Sequence, residues 1–458
     1  MKIWINKNEN EIPDSSYEGA YIFSLNRKEY SNIYTNISDI WLQSGSLSIS
    51  PIYEDLFQIA ISIFAVDKRV PRSLFRDCWT REFDVSIPVI ELEKWESVRD
   101  LWNKTMIFLT GDVWNINFRK SENLYSQRTR NSRDRIDISG CDVVSLFSGG
   151  LDSFCGAIEL LEQGKSPCLF GHNEYPKLRA KQERLCEGFQ REYPSQIVNF
   201  LSFTANSRAP YSNRLGKLAG SEKTSRGRSL LFLCSALTVA GILGDEAPVY
   251  IPENGFIGLN IPLTNSRKGT CSTRTTHPFF LDNFRKILEI VGIQNPIINF
   301  YAYMTKREIV NSVKDTNSFK QGYAETISCS HPCLPRWDKS GNNEYPKNCG
   351  YCYPCLIRKS SLIDIRDNNE TYSYESVSMD FLNLFADSDI VSDLTALMSS
   401  VYRYKTIDNN EIKRLIRCTG ELSNDEIEKF LRVYKTTMED LIELFSTDER
   451  LKAYIGIQ

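Results

Sequence analysis

The stretch that most constrains the fold of this 458-residue chain is "VVSLFSGGLDS", at residues 143–153. Its apolar start is typical of a buried strand, and the apolar spacing in the following "DSFCGAIELLEQG" is typical of a helix. The glycines between them let the backbone approach a ligand closely. A helix N-terminus offers free N–H groups and partial positive charge, which suit a phosphate. The sequence therefore predicts a strand, a phosphate-binding loop and a helix, in that order.

The same alternation of strands and helices continues to about residue 300. "SPCLFGH", "SQIVNFLSF" and "APVYIPE" are typical of strands, and "LRAKQERLCEGFQREY" and "GRSLLFLCSALTVAGILG" are typical of helices. This alternation predicts an α/β domain built on a doubly wound parallel sheet. Ligands of such sheets bind beyond the carboxyl ends of the strands, which is where the glycine loop falls.

The polar side chains of the loop suit a nucleotide. Ser148 and Ser153 offer hydroxyl donors for phosphate oxygens. Asp152 would repel a phosphate unless a cation lies between them, so we expect a Mg²⁺ bridge. The loop lacks the Gly-Lys-Ser/Thr ending of a Walker loop. The alternative without a ligand is a Ser/Gly turn that only caps a helix.

A cluster of cysteines forms a second signal. Cys349, Cys352 and Cys355 have C-x₂-C-x₂-C spacing, and a tetrahedral Zn²⁺ site needs four soft ligands. We predict Cys329 as the fourth ligand, with Cys333 and His331 as alternatives. The same spacing also occurs in iron–sulfur proteins, so a cluster of that kind is a rival. A site closed by four thiolates has no open position, which indicates a structural role.

The regions on either side have a different character. Residues 1–135 are aromatic-rich and predict an α+β extension, with a helix at "LFQIAISIFAVDKRV", a strand at "REFDVSIPVIEL" and a hairpin at "IFLTGDVWNINFR". Residues 136–365 hold the α/β domain and the cysteine loop. Residues 366–458 predict a mostly helical C-terminal extension.

Composition excludes some classes of function. The net charge of −3 gives no overall basic character, so nucleic acid is not indicated as a partner. The sequence has no run of about 18 apolar residues, so it predicts no membrane span. The N-terminus lacks the apolar core of a signal peptide, and we expect a cytoplasmic protein.

The loop and the cysteines together resemble a known family. "SGGLDS" matches the SGGxDS loop of the pyrophosphate-loop (PP-loop) ATP pyrophosphatases. With "GRS" at 227–229, "TKREIV" at 305–310, "TISC" at 326–329 and the cysteine loop, the order and rough spacing resemble the QueC branch, the 7-cyano-7-deazaguanine synthases. The resemblance covers residues 141–365, about half of the chain.

That resemblance implies a PP-loop fold, similar to the adenine nucleotide alpha hydrolases, and an AMP- and pyrophosphate-forming ligase or amidotransferase. It makes Asp152, Ser153 and Lys306 catalytic and gives an ATP-binding set of Ser148, Gly149, Gly150, Leu151, Asp152, Ser153 and Arg228. A carboxylate on a 7-deazapurine such as 7-carboxy-7-deazaguanine would be adenylated, and an amine would displace AMP. In QueC enzymes the amine is ammonia, and the amide is dehydrated to a nitrile in a second ATP-dependent round. ATP, Mg²⁺ and Zn²⁺ are the cofactors implied.

The chain departs from the QueC pattern in several places. The family's "YGQRH" is replaced by "GHNEYPK", so the substrate or acceptor differs; His172 there is a candidate base or a satisfied loop histidine. The asparagine of the family's "GRN" is Ser229. The segment 265–278 is basic and either holds an anion or is a surface loop; its candidate residues are Arg267, Lys268 and Arg274, and His277 is equally ambiguous.

The two extensions are similar to those of the QueC-like QatC proteins of the bacterial Qat anti-phage operons. That context implies partner proteins: an ATPase, a second small protein and a TatD-like nuclease. The amine would then belong to a partner protein, which gives a deazapurine–protein conjugate. Two alternative functions remain as hypotheses: a PP-loop tRNA thiolase, and a defence scaffold that binds ATP without turnover.

Overall fold

The computed structural model describes residues 1–7, 11–25, 31–44, 49–124, 136–173, 175–222, 225–263, 274–334, 345–365 and 371–457. Within these ranges the chain forms two mostly parallel sheets flanked by helices, followed by a helical C-terminal region. Among the helices of these ranges, none has the length and apolar character needed to cross a membrane.

The N-terminal part of the chain builds most of the first sheet. Its elements are β1 (Lys2–Asn6), β2 (Tyr21–Ser24), β3 (Ile33–Thr35), α1 (Ile37–Gln43), α2 (Pro51–Arg69), β4 (Glu82–Val89), α3 (Leu92–Ser97), α4 (Arg99–Thr110) and β5 (Val113–Lys120). The neighbouring strands β2, β1, β4 and β5 are parallel. The predicted α+β character of this region is therefore wrong, because its helices serve as crossovers between parallel strands. The helix and strand predicted here are confirmed as α2 and β4.

The hairpin predicted from "IFLTGDVWNINFR" is also wrong. The first half of that stretch ends helix α4, and Gly111 adopts a left-handed conformation (φ +72°) that caps the helix. Its N–H donates to the carbonyl of Ile107 at 2.8 Å, as expected at a helix C-terminus. A Gly-Asp pair suits a hairpin turn and a helix end equally, and only the parallel pairing of β5 with β4 decides between them.

The central part contains the second sheet and the helices around it. Its elements are β6 (Val143–Leu146), α5 (Leu151–Glu162), β7 (Pro167–His172), α6 (Pro176–Glu192), β8 (Asn199–Phe203), β9 (Ala205–Ser207), β10 (Tyr211–Ser212), β11 (Gly216–Lys217), α7 (Gly227–Leu243), β12 (Val249–Tyr250), α8 (Gly255–Leu259), α9 (Pro278–Val291), β13 (Ile297–Ile298), α10 (Lys306–Val313), α11 (Asn317–Gly322) and α12 (Tyr353–Ser361). The strands and helices predicted for residues 141–250 are confirmed.

The second sheet has the order β13-β12-β6-β7-β8, and all of its strands are parallel. Alternate strand residues face opposite sides: Val144 and Phe170 lie in the core that contains α7, whereas Leu169 lies in the core that contains α5 and α6. Helices thus cover both faces, as predicted for a doubly wound sheet. The strand order reverses between β6 and β12, and such a point opens a crevice at the carboxyl edge of the sheet.

Helices α2 and α7 join the two sheets. Helix α2 packs on β4 of the first sheet, α7 packs on β6 of the second, and the two helices pack on each other. They approach so closely that a Cβ at Gly241 would lie 2.6 Å from the ring of Tyr53. Strands β10 and β11 add an antiparallel pair to the first sheet, and β9 pairs with β3. A single apolar core therefore runs from Ile3 to Ile297.

The C-terminal region is helical, as predicted. Its helices are α13 (Met379–Leu384), α14 (Ser392–Thr406), α15 (Asn409–Arg417), α16 (Asn424–Phe445) and α17 (Glu449–Tyr454). Helices α14 and α16 pack against α12, and α16 also packs against α8. Their apolar faces form a core that includes Cys349, Cys352 and Cys355. The region is thus attached to the part of the chain that carries the predicted site.

Candidate functional site

The glycine loop lies at the carboxyl end of β6, next to the point where the strand order reverses. Gly149 has a φ of +80°, which a side chain would strain. Gly150 is the N-cap residue of α5, and its N–H donates to Ser148 Oγ at 3.3 Å. The hydroxyl oxygens of Ser148 and Ser153 lie 3.2 Å apart. The loop thus places two hydroxyls beside a helix N-terminus, which is favourable for an anion.

Asp152, in the first turn of α5, is held by groups from two other segments. The ammonium of Lys306 forms an ion pair with its Oδ1, and both side chains are largely buried. Asn254 Nδ2 donates to its Oδ2 at 2.7 Å. Lys306 is the first residue of α10, which begins with a capping box formed by Thr305 and Glu308. The structure therefore brings together three predicted catalytic residues, Asp152, Ser153 and Lys306.

Glu253 places a second carboxyl group at this edge. It lies three residues after the end of β12, and its Oε2 accepts a hydrogen bond from Thr276 Oγ1. Burial raises the pKa of Glu253 to about 7; the Thr276 hydroxyl acts in the opposite direction, and the nearby Asp152 charge raises the pKa further. Carboxylate oxygens of Asp152 and Glu253 are the ligands that Mg²⁺ prefers. The pair could therefore hold a Mg²⁺ ion on a phosphate.

A neighbouring segment braces the loop from outside. The N–H of Ile327 donates to Gly149 O at 2.8 Å, and the N–H of Leu151 donates to Ser328 Oγ at 3.0 Å. From the other side, the buried Gln182 of α6 donates through Nε2 to Phe147 O at 2.9 Å. These bonds fix the conformation of the loop without using a ligand.

The four predicted cysteines form one cluster. The sulfur atoms of Cys329, Cys349, Cys352 and Cys355 all lie within 4.8 Å of one another. The Cys349–Cys355 and Cys329–Cys352 sulfur pairs are each 3.9 Å apart. A tetrahedron with Zn–S bonds of about 2.3 Å has edges of about 3.8 Å. The cluster therefore fits a zinc ion, and Cys329 is its fourth member, as predicted.

Backbone N–H groups surround the sulfur atoms. The N–H groups of His331 and Cys349 each point to Cys329 Sγ at 3.2 Å, and that of Ser330 points to Cys352 Sγ at 3.4 Å. Such donors stabilise thiolates, which are the form that binds a metal. The alternative ligands, Cys333 and the ring of His331, are not among the four clustered groups. The ring of His331 lies beside the cluster, where it hydrogen-bonds to the sulfurs of Cys349 and Cys352 and stacks on Tyr351.

The cysteine cluster is directly connected to the glycine loop. Cys329 follows the bracing residues Ile327 and Ser328 in the chain. The N–H of Ser328 donates to Asn348 Oδ1 at 2.9 Å, and Asn348 directly precedes Cys349. A metal on the four sulfurs would therefore fix the segment that holds the loop in place.

Two predicted residues lie one strand further along the edge. His172 is the last residue of β7, and its buried ring stacks on Phe203 with centroids 4.8 Å apart. Burial, and then the charge of Arg228, lower the pKa of His172 to about 3. Arg228 is exposed and lies in the first turn of α7. Because His172 is neutral and fully desolvated, it is a poor candidate for a general base at pH 7.

The other ambiguous histidine is structural. His277 is the N-cap of α9, and its Nδ1 accepts from Phe279 N at 3.1 Å. Its Nε2 therefore carries the proton, which it donates to Thr419 Oγ1 at 3.0 Å. The neighbouring Arg274 donates to Phe108 O at 3.2 Å and ties this segment to α4. Arg267 and Lys268 lie outside the described residues.

Sequence reasoning missed several residues of the site. Glu253 and Asn254 had one usable signal: they stand at the end of the predicted strand "APVYIPE" of a parallel sheet, at the edge where ligands bind. Ser328 lies within the "TISC" motif, but the motif gave it no role. Gln182 and Asn348 had no signal, because they are isolated polar residues that reach the loop only through the tertiary fold.

Comparison with protein-family models gives no match, and comparison with curated proteins gives none either. The function of the site must therefore be argued from its residues and their geometry.

Proposed function

We propose that the chain is a PP-loop ATP pyrophosphatase of the QueC-like type, which adenylates a carboxylate on a 7-deazapurine and transfers the acyl group to an amine. The observation that carries the proposal is the arrangement at the end of β6. An SGGLDS loop lies at the switch point of a parallel sheet, with Lys306 paired to Asp152. The four-cysteine cluster that braces this loop supports the same family.

In this proposal the phosphates of ATP lie on the loop. Ser148 and Ser153 donate to phosphate oxygens, and Asp152 and Glu253 would hold Mg²⁺, which offsets the charge of the phosphates. The substrate carboxylate attacks the α-phosphorus, the bond from that phosphorus to the bridging oxygen breaks, and pyrophosphate leaves. Lys306 stabilises the negative charge that develops on the phosphates. The side chains position and stabilise, so none of them needs to form a covalent intermediate.

In the second step the nitrogen of an amine attacks the acyl carbon, AMP leaves and the amine loses a proton. Ammonia as the amine would make the chain a 7-cyano-7-deazaguanine synthase. An amine on a partner protein would give the conjugate expected of a cytoplasmic anti-phage protein of the Qat type.

ATP–pyrophosphate exchange tests the first step. We expect purified protein with Mg²⁺ to exchange labelled pyrophosphate into ATP only when 7-carboxy-7-deazaguanine is present. Asp152→Ala should lower the rate by about 10²-fold or more, as removal of a group that stabilises transition-state charge does. Asp142→Ala, at an exposed aspartate before β6, is the matched control and should keep the wild-type rate.

Two outcomes would contradict the proposal. Exchange that persists in Asp152→Ala would exclude the loop as the site of adenylation. Absence of exchange in folded, metal-loaded protein would favour a scaffold that only binds nucleotide. Intact-mass analysis of co-expressed partner proteins tests the identity of the acceptor. A conjugate increases the mass of the partner protein by one deazapurine acyl group, whereas transfer to ammonia leaves that mass unchanged.

A further inference from the structure

Helix α16 of the C-terminal region contacts both segments that supply the partners of Asp152. Asn254, which donates to Asp152, is the N-cap residue of α8, and its Oδ1 also accepts from the N–H of Ile257 at 3.0 Å. Lys306, which pairs with Asp152, is the first residue of α10. Helix α16 packs against α8 and forms ion pairs with α10. The two partners of Asp152 thus lie on segments that share one supporting helix.

Apolar contacts fix α16 next to α8. The ring of Tyr434 lies 6.1 Å from that of Phe256, centroid to centroid. The ring of Phe430 lies 5.1 Å from that of Tyr303. Tyr434, Phe430 and Phe256 are buried in the core that the C-terminal region shares with the cysteine cluster. Because such close-packed cores allow little movement, α16 is a rigid support for the segments beside it.

Arg307, the residue after Lys306, joins α10 to that support. Its guanidinium pairs with Asp440 of α16 at 3.1 Å and with Glu443 of α16, and it also pairs with Asp364 at 2.8 Å. The side chains of Arg307 and Asp440 are mostly buried, which makes the attraction between them stronger than on the open surface. Because Lys306 and Arg307 are consecutive, the ion pair with α16 restricts where the backbone of Lys306 can lie.

Arg432 of α16 forms a second connection, to residues before and after Lys306. Its guanidinium donates to the carboxylate of Glu308 and to the carbonyl oxygen of Tyr303. Glu308 is also the capping-box residue whose Oε2 accepts from the Thr305 N–H at 2.8 Å. Arg432 is half-exposed, so this connection alone contributes little free energy. Its effect adds to that of the more buried ion pair in the same turn of α10.

In the proposed reaction the ammonium of Lys306 must lie within reach of the phosphates. A displacement of about 1 Å in a catalytic group can lower a rate by about 10²-fold. We propose that α16 sets the position of Lys306, with Asp440 and Arg432 as positioning residues. They act through the neighbours of Lys306 in α10 and do not need to contact the substrate. The inference rests on the proposed function, in which Lys306 stabilises the charge that develops on the phosphates.

A double-variant experiment separates positioning from general stability. In ATP–pyrophosphate exchange by the full chain, we expect Asp440→Ala to lower kcat about tenfold and to leave the KM for ATP unchanged, because ATP still binds to the loop. In a Lys306→Ala protein the same substitution should change kcat by less than about twofold, since the effects of residues that act through one group are not additive. A tenfold loss in both backgrounds would overturn the proposal.

Glu428→Ala is the matched control. Glu428 is an exposed residue of α16 that pairs with Lys413 of α15, so its removal should not change kcat. Arg432→Ala covers the case in which Asp440→Ala does not fold, because Arg432 is half-exposed. We expect it to lower kcat about two- to fivefold, the effect of one exposed ion pair, and only when Lys306 is present. A wild-type kcat in Arg432→Ala would also overturn the proposal.

Chemical labelling of Lys306 tests its position without nucleotide. The side chain is largely buried and paired with Asp152, so acetic anhydride should acetylate it more slowly than the exposed Lys286, which serves as an internal reference. We expect the ratio of the two rates, measured by mass spectrometry, to rise several-fold in both positioning variants and to stay constant in the control variant. Absence of exchange in the wild-type protein would contradict the proposed function, whereas an unchanged labelling ratio would contradict the positioning role.

Discussion

At the scale of single residues, the site is a set of charged groups that stabilise one another at the edge of a sheet. Asp152 is partly buried, and its charge is offset by the ammonium of Lys306 and by a hydrogen bond from Asn254. Removal of one member of such a pair leaves the other uncompensated. The residues that perform the proposed chemistry are therefore also constrained by the stability of the fold.

The carboxyl group of Glu253 gives a pH dependence with a definite sign. Its pKa in the folded protein is raised to about 7, above the unfolded value of about 4.3. Its contribution to stability is therefore fully present below about pH 4.3 and is lost as the pH rises toward 7. Glu253→Gln imitates the protonated form. We expect its Tm to equal that of the wild type near pH 4 and to exceed it increasingly up to pH 8, as measured by calorimetry without nucleotide.

Glu246→Gln provides the control for that experiment, because Glu246 is an exposed glutamate seven residues away. Its effect on the Tm should not change with pH. A difference between Glu253→Gln and the wild type that is constant from pH 5 to pH 8 would show that the Glu253 carboxyl titrates normally.

The sequence was most informative about residues within motifs. The loop residues and the three C-x₂-C-x₂-C cysteines were found because short spacing alone brings them together. Cys329 was predicted as the fourth ligand, but the alternatives Cys333 and His331 could be set aside only with the structure, since a loop of unknown path separates all three from Cys349. Gln182 was missed because it is one common polar residue in an ordinary helix, and the bracing role of Ser328 was missed because the "TISC" motif does not indicate which group its hydroxyl contacts.

At the scale of elements, Ile327 and Ser328 connect the cysteine cluster to the glycine loop. They directly precede Cys329 and form hydrogen bonds with the loop. Ser328 Oγ accepts the hydrogen bond from Leu151 N, the first N–H of α5. Ser328→Ala should weaken ATP binding by about 2- to 10-fold, the effect of one lost hydrogen bond of about 0.5–1.5 kcal/mol. Calorimetric titration with α,β-methylene-ATP measures the change.

The zinc content of the Ser328→Ala protein should stay at the wild-type level, because the hydroxyl does not contact the sulfurs. Ser330→Ala is the matched control: Ser330 is exposed, and its contact with the cluster is made by the backbone N–H, which the substitution keeps. Equal nucleotide affinity of the two variants would show that the Ser328 hydroxyl does not brace the loop.

Removal of one cysteine should affect both the C-terminal core and the loop. Cys352 is fully buried within the core that contains α14 and α16. We expect Cys352→Ser to lose the bound metal and to be less stable by several kcal/mol, because metal binding in such sites is coupled to folding. Metal analysis and thermal unfolding measure the two effects. Cys418→Ser, at an exposed cysteine outside the cluster, should match the wild type; a metal-free Cys352→Ser with an unchanged Tm would contradict a structural role.

The sequence predicted helices and strands correctly where an apolar pattern extended over many residues. It predicted them wrongly where a short motif was compatible with two different structures. The alternation over residues 141–250 predicted four of the five strands of the second sheet and the helices between them, because the strands are apolar on both faces and the helices are long and apolar on at least one side. The pair Gly111-Asp112 was ambiguous, because a left-handed glycine ends a helix as well as it makes a turn.

At the scale of the whole molecule, the N-terminal region supports the candidate site directly. Asp67, near the end of α2, accepts hydrogen bonds from the Gly227 N–H at 2.8 Å and from Ser225 Oγ at 2.9 Å. Its other oxygen pairs with the buried Arg81 at 2.5 Å. A residue of the first 135 thus caps α7, the helix whose first turn carries Arg228. No pattern in the sequence indicates this contact, because Asp67 and Gly227 are 160 residues apart.

Asp67→Ala should be strongly destabilising. It leaves the guanidinium of Arg81 with Asp112 as its remaining carboxylate partner and uncaps α7. Loss of one partner of a buried ion pair costs about 3–5 kcal/mol, and loss of a helix cap costs about 1 kcal/mol. Denaturant unfolding should show this loss in one transition, since one core joins the two sheets. Asp100→Ala, at an almost fully exposed aspartate, should have no effect; separate transitions for the two sheets would contradict a shared core.

In the proposed reaction, the loop at the end of β6 cleaves ATP between the α- and β-phosphates. The most direct measurement is ³¹P NMR of the products formed from ATP, Mg²⁺, 7-carboxy-7-deazaguanine and an ammonium salt, with Lys306→Ala as the matched inactive variant. We expect equal amounts of AMP and pyrophosphate from the wild-type protein and a rate at least about 10²-fold lower in the variant. Formation of ADP and phosphate, or ATP that stays intact with folded, metal-loaded protein, would contradict it.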